Sequence, residues 1–258
     1  MFLPGLVSIT FRKLSPSEIV ALSVRCGLRG IEWGGDVHVP HGDMERALEV
    51  RNLTHAAGLR TAAYGSYYRM GKNTDAFAGI VDTALALETG IIRVWAGTCG
   101  SAETTGEDRG RIVADGQRIA ALAANAGLKI AVEWHGNTLT DTAESAGTLF
   151  REIAHPNFLC YWQPRGALSV EANLLELETA RPYAVGWHVF HWEKDGARCP
   201  LGDGMDVWRA YFAAAPDLAG RYALLEFVQG DEPEQLMRDA AVLRKILAEL
   251  SVEKTVAP

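Results

Sequence analysis

The feature that most constrains this chain is a strict alternation of short β-rich runs with longer stretches of helical period. The β-rich runs are "GLVSITF" at 5–11, "GIEWGG" at 30–35, "LRTAAYGSYY" at 59–68, "IIRVWAG" at 91–97 and "LKIAVEW" from 128. "NFLCYWQ" at 157–163, "YAVGWHVFHW" at 183–192 and "YALLEFV" at 222–228 complete the set. A helical stretch follows each. The first opens with "SPSE", where Ser15 suits an N-cap, Pro16 the first helical position, and Glu18 the far side of a capping box. The fourth is expected from about Asp108 to Gly127, and Thr140 or Asp141 suits the cap of the fifth. Gly27, Gly58, Gly90 and Gly127 stand just before the next β-rich run, where glycine can end a helix in the left-handed conformation. Eight such units in 258 residues have the size and rhythm of a single (β/α)8 barrel. An open doubly wound sheet shares the alternation, but no G-x-G-x-x-G follows the first run and eight units exceed its usual six. The expectation is an α/β chain with one barrel domain over 1–250 and a loose tail over 251–258.

Composition narrows the partners. With 48% hydrophobic and 22% charged residues the chain reads as an ordinary globular protein. A net charge of −7 argues against nucleic acid, which needs a basic footprint, and against a polybasic membrane surface. The opening "MFLPGLVSITFRKL" resembles neither a signal nor a transit peptide, and no apolar run reaches membrane-spanning length. The four cysteines form no CxxC pair. A cytoplasmic protein with free thiols is expected.

In a barrel the C-terminal strand ends build the active site. The fifth run ends in Glu133 and His135, two apart and so on one face. Gln163 ends the sixth, His188 lies late in the seventh with His191 three further on, and Glu226 ends the eighth. Any one of these has an ordinary structural use as a cap, a pair or a hydrogen-bonded core residue. Four successive strand ends carrying polar groups can instead converge on one point, as a metal ion or an acid–base pair requires. His135 suits a substrate hydroxyl or a hydrogen bond to Glu133. His191 is off the parity of His188 and reaches the site if the strand ends early, which the position of "HW" favours. Arg165 is placed to hold a substrate carboxylate or phosphate, or else to form a salt bridge. His38, in "GGDVHVPHGD", is a candidate for the rim; Glu32 faces either the barrel or a structural partner. Trp95 belongs to a set with Trp33, Tyr64, Tyr67, Tyr68, Trp134, Trp162 and Trp192, all late in strands or just after. Such rings suit the C–H faces of a sugar, although packing between strands and helices must claim several.

The stretches "GIEWGGDVHVPHGD", "AVEWHGNTLTDT", "YWQP", "GWHVFHW", "LGDGMDVW" and "ALLEF" occur in an order that resembles the sugar isomerase/epimerase family of xylose isomerase-like TIM barrels, over nearly the whole chain. The resemblance implies a divalent metal held by Glu133, Gln163, His188 and Glu226, with Gln163 standing where the family usually has Asp. An amide carbonyl still ligates a hard cation, with one charge less. This donor set suits Mn²⁺ or Mg²⁺ best, with Co²⁺ or Zn²⁺ as alternatives. The implied activity is isomerisation or epimerisation of a small sugar, with Glu133 and Glu226 moving a proton beside a carbonyl. Three alternatives stand beside it. One is lyase-type cleavage of an oxidised (keto) sugar glycoside on the same metal. A second is a metal-dependent nuclease at abasic DNA sites, against which the few histidines and the acidic charge speak. The third is a metal-free sugar-binding barrel, expected if Gln163 points away from the other three groups.

Overall fold

The structure, a computed structural model, describes residues 1–72 and 74–256. Seven parallel strands follow in turn: β1 (Leu3–Val7), β2 (Gly30–Gly34), β3 (Arg60–Arg69), β4 (Ile91–Trp95), β5 (Lys129–Glu133), β6 (Phe158–Trp162) and β7 (Ala184–Val189). A small antiparallel hairpin, β8 (His191–Trp192) with β9 (Arg198–Cys199), interrupts the series before β10 (Tyr222–Leu225). The strand β10 pairs with β7 on one side and β1 on the other, Leu3 lying opposite Tyr222, and so closes an eight-stranded barrel. Eight helices follow the strands: α1 (Pro16–Arg25), α2 (Met44–Ala56), α3 (Phe77–Ala86), α4 (Gly106–Asn125), α5 (Ala143–Ile153), α6 (Val170–Ala180), α7 (Met205–Ala214) and α8 (Pro233–Val256). The expected (β/α)8 architecture is therefore present. Among the described residues no helix is long and apolar enough to cross a membrane.

Local signals were read correctly where no tertiary partner competed for them. Ser15 and Glu18 form the reciprocal capping box of α1 with Pro16 in its first turn. The cap of α5 is Thr142, not Thr140 or Asp141. Both of those are engaged elsewhere: the Thr140 hydroxyl donates to the Glu133 carbonyl at 2.6 Å, and Asp141 accepts from the Ser101 amide at 2.8 Å. Gly27, Gly58 and Gly127 take positive φ, but Gly90 does not; the left-handed turn after α3 falls at Glu88, with φ 53°. Helix α8 runs to Val256, so residues 251–256, expected as a tail, are helical, and 257 and 258 lie outside the described residues.

Two apolar layers hold the barrel. The outer one lies between strands and helices and contains Trp33, Trp134, Trp162, Trp187 and Trp208, all fully buried. Each such ring removes roughly 150–250 Å² from water, a gross gain of about 4–6 kcal/mol before ordering entropy. Trp33, Tyr64, Tyr68, Trp134 and Trp162 thus belong to packing and not to a sugar-binding rim. The inner layer fills the barrel by matching small residues to large ones: a side chain at Gly5 would strike Leu224, one at Gly30 would strike Tyr222, and one at Gly186 would strike Tyr161. Along the inward face, period-two alternation then changes character. Ile91 gives way to Arg93, Ala131 to Glu133, Gly30 to Glu32, and Leu224 to Glu226. The lower half of the interior is apolar and its C-terminal half is charged.

Gly186→Ala should force the Tyr161 ring, which stacks on His188 with centroids 5.1 Å apart, out of its place. The expected cost is about 1–3 kcal/mol, seen as a lower thermal midpoint. Gly110→Ala, in α4 with open space around it, should instead gain roughly 0.5–1 kcal/mol. Equal midpoints for the two variants would contradict this packing.

Candidate active site

The charged half of the barrel is organised around Arg93 of β4. Its side chain is fully buried. Nε donates to Glu32 Oε1 of β2 at 2.6 Å, and Nη1 donates to Glu133 Oε2 of β5. Gly65 of β3 leaves the room, since a Cβ there would lie 2.8 Å from both Arg93 Nη2 and Glu32 Oε1. The indole N–H of Trp95 donates to the same Glu133 oxygen, and the Gln163 amide donates to the other at 3.4 Å. His188 of β7 lies at the centre. Its Nε2 is 3.3 Å from Glu32 Oε2; its Nδ1 is 3.3 Å from Gln163 Oε1, 3.5 Å from Glu226 Oε2 and 3.7 Å from Glu133 Oε1.

The electrostatics follow from this crowding. Burial alone would raise the Glu133 carboxyl, but Arg93 and His188 hold it well below the usual carboxylate range. Burial raises Glu226, and the neighbouring Glu133 and Glu32 add to that against the pull of His188. Burial would lower His188, yet Glu226 and Glu32 outweigh it and carry the imidazole to about 10.

The arrangement fits a metal ion. One ligand atom each from Glu133, His188 and Glu226 lies within 4.8 Å of the others, and the Gln163 carbonyl oxygen turns toward the same space. Nε2 faces Glu32 at 3.3 Å, so Nδ1 is the nitrogen a metal would take in exchange for its proton; a carboxylate behind a ligating imidazole is a recurrent arrangement. Charge agrees. Three buried carboxylates and one guanidinium leave two negative charges when His188 is neutral, and uncompensated buried charge is costly. A divalent cation balances the site. Three oxygens and one imidazole nitrogen suit a hard or borderline ion.

Above this cluster opens a cavity of about 210 Å³. Glu133, Gln163 and Glu226 form its floor; His135 and Trp95, stacked at 5.2 Å and 22°, form one wall. Gln163 therefore points toward the other three groups. His188 meets the cluster without lining the cavity, and three other expected site residues do not reach it. His191 sits in β8 against Gly204, because β7 ends at Val189 and the hairpin turns Phe190 and Trp192 inward instead. Arg165 turns to α6, where its Nε donates to Glu176 at 2.9 Å. His38 is buried with Nδ1 3.0 Å from Ser8 Oγ. Sequence reasoning missed Arg93, although its parity with Ile91 and Trp95 marks it as inward. It also missed Arg12, Ile9 and Phe227: Ile9 and Phe227 fall inside the first and eighth β-rich runs, but β1 ends at Val7 and β10 at Leu225, so strand parity does not place them, and Tyr67 was named only among the aromatics.

The model of the xylose isomerase-like TIM barrel family matches residues 20–246. The chain belongs to this family. A 3-dehydroshikimate dehydratase of Bacillus anthracis is 28% identical over 255 residues, covering 91% of this chain and 86% of that relative. Among solved structures, the probable 3-DHS dehydratase AsbF involved in petrobactin synthesis in Bacillus anthracis matches with a TM-score of 0.82 at 23% identity, over 95% of this chain and 99% of its own. A xylose isomerase-like TIM barrel protein from Mycobacterium smegmatis in complex with magnesium matches with a TM-score of 0.69 at 12% identity, over 96% and 97% of the two chains.

Two outcomes are expected of this xylose isomerase-like site. A metal at Nδ1 must displace the His188 proton, which is bound below pH about 10. Mn²⁺ affinity should therefore fall about tenfold per unit as pH is lowered through the neutral range, with about one proton released per ion. Calorimetry in buffers of different ionisation enthalpy measures this; binding without proton release would place the ion elsewhere. Arg93→Leu should cost the metal-free protein about 3–5 kcal/mol in urea unfolding, because Glu32 and Glu133 lose their shared counter-charge. An unaffected unfolding midpoint would contradict that role.

Proposed function

We propose that this chain is a divalent-metal-dependent lyase that removes water from a small, carboxylated cyclic keto-polyol of the 3-dehydroshikimate type. The observation that carries the reading is the division of labour around Glu133. Both of its oxygens are committed, one to Arg93 and Trp95 and the other to Gln163. A carboxylate tied in this way serves as an anchor and is poorly placed to exchange protons with Glu226. That weakens isomerisation or epimerisation through a Glu pair and favours chemistry run by one mobile base beside the floor.

His135 is that base in this reading. Its Nδ1 faces the Gly136 carbonyl, so a proton held there leaves Nε2 as the basic nitrogen, and the ring lies on the cavity wall. Glu133, Gln163, His188 and Glu226 would hold the ion, which when bound would polarise the substrate carbonyl and stabilise the charge that develops on its oxygen. His135 takes the proton from the carbon next to that carbonyl, and the C–H electron pair moves into the enolate. As the carbonyl re-forms, the pair shifts to make a carbon–carbon double bond and the hydroxyl one carbon further on departs. His135 returns the proton to that leaving oxygen, so water is released and the base is regenerated. For a ring that already carries one double bond and a ketone, the new double bond followed by enolisation gives an aromatic dihydroxy acid. The similarity to a 3-dehydroshikimate dehydratase over 91% of this chain and 86% of that relative supports the same class.

The test is incubation of the Mn²⁺-loaded protein with 3-dehydroshikimate, followed by ultraviolet absorbance of the aromatic product. Conversion abolished by chelator is expected, and His135→Asn should lower kcat by roughly 10²–10⁴ with metal affinity unchanged. No aromatic product, together with solvent deuterium entering a keto-sugar, would return the reading to isomerase or epimerase.

A further inference from the structure

The catalytic cavity shares Ile9, Arg12 and Phe227 with a second cavity of about 500 Å³. The larger one is basic: Arg12, Lys13 and Arg198 line it against the single carboxylate of Asp231, which pairs with Arg198. Arg12 pairs with Asp36 and Arg198 with Asp231, so the excess positive charge on this wall comes down to Lys13, in a chain with a net charge of −7; a positive wall at the entrance to the reacting centre attracts anions. Among the described residues Lys13 has no ion-pair partner. Arg198 lies over the Phe227 ring at 4.6 Å, so the shared wall itself sits beside a cation.

Arg12 stands where the two cavities meet. Its guanidinium is fixed from two sides: Nη1 donates to Asp36, and Nη2 donates to the Tyr67 hydroxyl at 3.0 Å. A guanidinium carries five N–H donors, so these contacts orient the fork and leave donors free. Its two aromatic neighbours on the cavity wall are held unusually. Tyr67 has φ 58° and Phe227 has φ 52°, a left-handed conformation that costs a bulky residue about 1–3 kcal/mol. The Phe227 amide is tied back to Thr10 Oγ1 at 3.1 Å, two residues from Arg12. Backbone strain on both sides of one arginine, beside a charged floor, marks a wall built for recognition.

We propose that Arg12 is a carboxylate-recognition residue: it receives the acid group of a ring whose oxygens are held at the Glu133–Gln163–His188–Glu226 floor, and so selects acidic rings over neutral sugars. The inference rests on the reading of the cavity as one for a small oxygenated ring, but not on the elimination step. A planar fork already oriented loses little freedom when it binds a carboxylate in two-point contact. Lys13 and Arg198 strengthen the field without needing to touch the ligand.

The probes are catechol and carboxycatechol, the dihydroxybenzoate with adjacent hydroxyls, titrated into the Mn²⁺-loaded protein by calorimetry. The two differ only in the carboxylate. Carboxycatechol should bind roughly ten- to hundredfold more tightly, and the gap should narrow with rising salt. Arg12→Ala should remove the gap while leaving catechol affinity as in the wild type, and Arg12→Lys should keep part of it. Equal weakening of both ligands in Arg12→Ala would overturn the proposal, because Arg12 would then only be holding Tyr67 in place. So would an acid preference that survives the substitution. An Arg12-dependent preference without conversion of 3-dehydroshikimate would sink the dehydratase reading and leave the subsite standing; conversion without that preference would do the reverse.

Discussion

The ion pairs of Arg93 with Glu32 and Glu133 are the constraint on which the rest of the site depends. A guanidinium in the middle of a barrel is tolerable only when its donors are satisfied and its charge is matched. Glu32 and Glu133 do both from strands on either side. Each carboxylate turns its other oxygen toward His188, that of Glu133 shared with the Gln163 amide, which is why an imidazole with no exposure can stand beside three acids. Gly65 provides the space, and Tyr161 supports the His188 ring from below. The result is a rigid floor whose donors are aimed upward and whose residual charge asks for a divalent cation.

In the dehydratase proposed above, the same rigidity divides the chemistry. Glu133 is central in position but spent in bonding, whereas His135 is bound only to its own neighbourhood and to the Trp95 face. A site with two free carboxylates facing each other can take a proton on one side and return it on the other. A site with one free base beside a fixed floor returns the proton to where it can still reach, and a leaving hydroxyl on the same face of the substrate is such a place. The distinction between epimerisation and elimination thus comes down to hydrogen-bond occupancy, which no spacing of residues in the sequence expresses.

That is also the pattern in what could be read in advance. The barrel was legible because its signals are local or periodic: alternation, capping residues, and glycines before strands. The four floor residues were legible because strand parity fixes direction, so Glu133, Gln163 and Glu226 at strand ends and His188 within β7 had to face inward. Arg93 obeys the same parity but sits in "IIRVW", where an apolar surround hides it. His191, Arg165 and His38 lie away from the cavity for a different reason. Each lies in or beside a connecting loop, where the chain leaves the strand lattice and direction is set by partners such as Gly204, Glu176 and Ser8. Phe227 lies inside the run "YALLEFV", but β10 ends at Leu225 and a φ of 52° breaks the alternation there, and Arg12 lies just past the first run, so strand parity placed neither on the wall.

Gln163 gains its meaning from that hidden arginine. Taken alone, an amide where the resemblance leads one to expect an acid weakens the case for a metal, since one negative charge is gone. Arg93 changes the accounting in the opposite sense from what a degraded site would need. With Gln163 the floor carries two net negative charges against a neutral His188; an Asp there would leave three buried around one divalent ion. The amide also uses both of its ends, its N–H₂ toward Glu133 and its carbonyl toward Nδ1 of His188, which a carboxylate could not do without facing Glu133 with like charge. Residue 163 therefore fits a floor that already holds a fixed cation, and an amide there is compatible with the Glu133–His188–Glu226 group that could hold a metal.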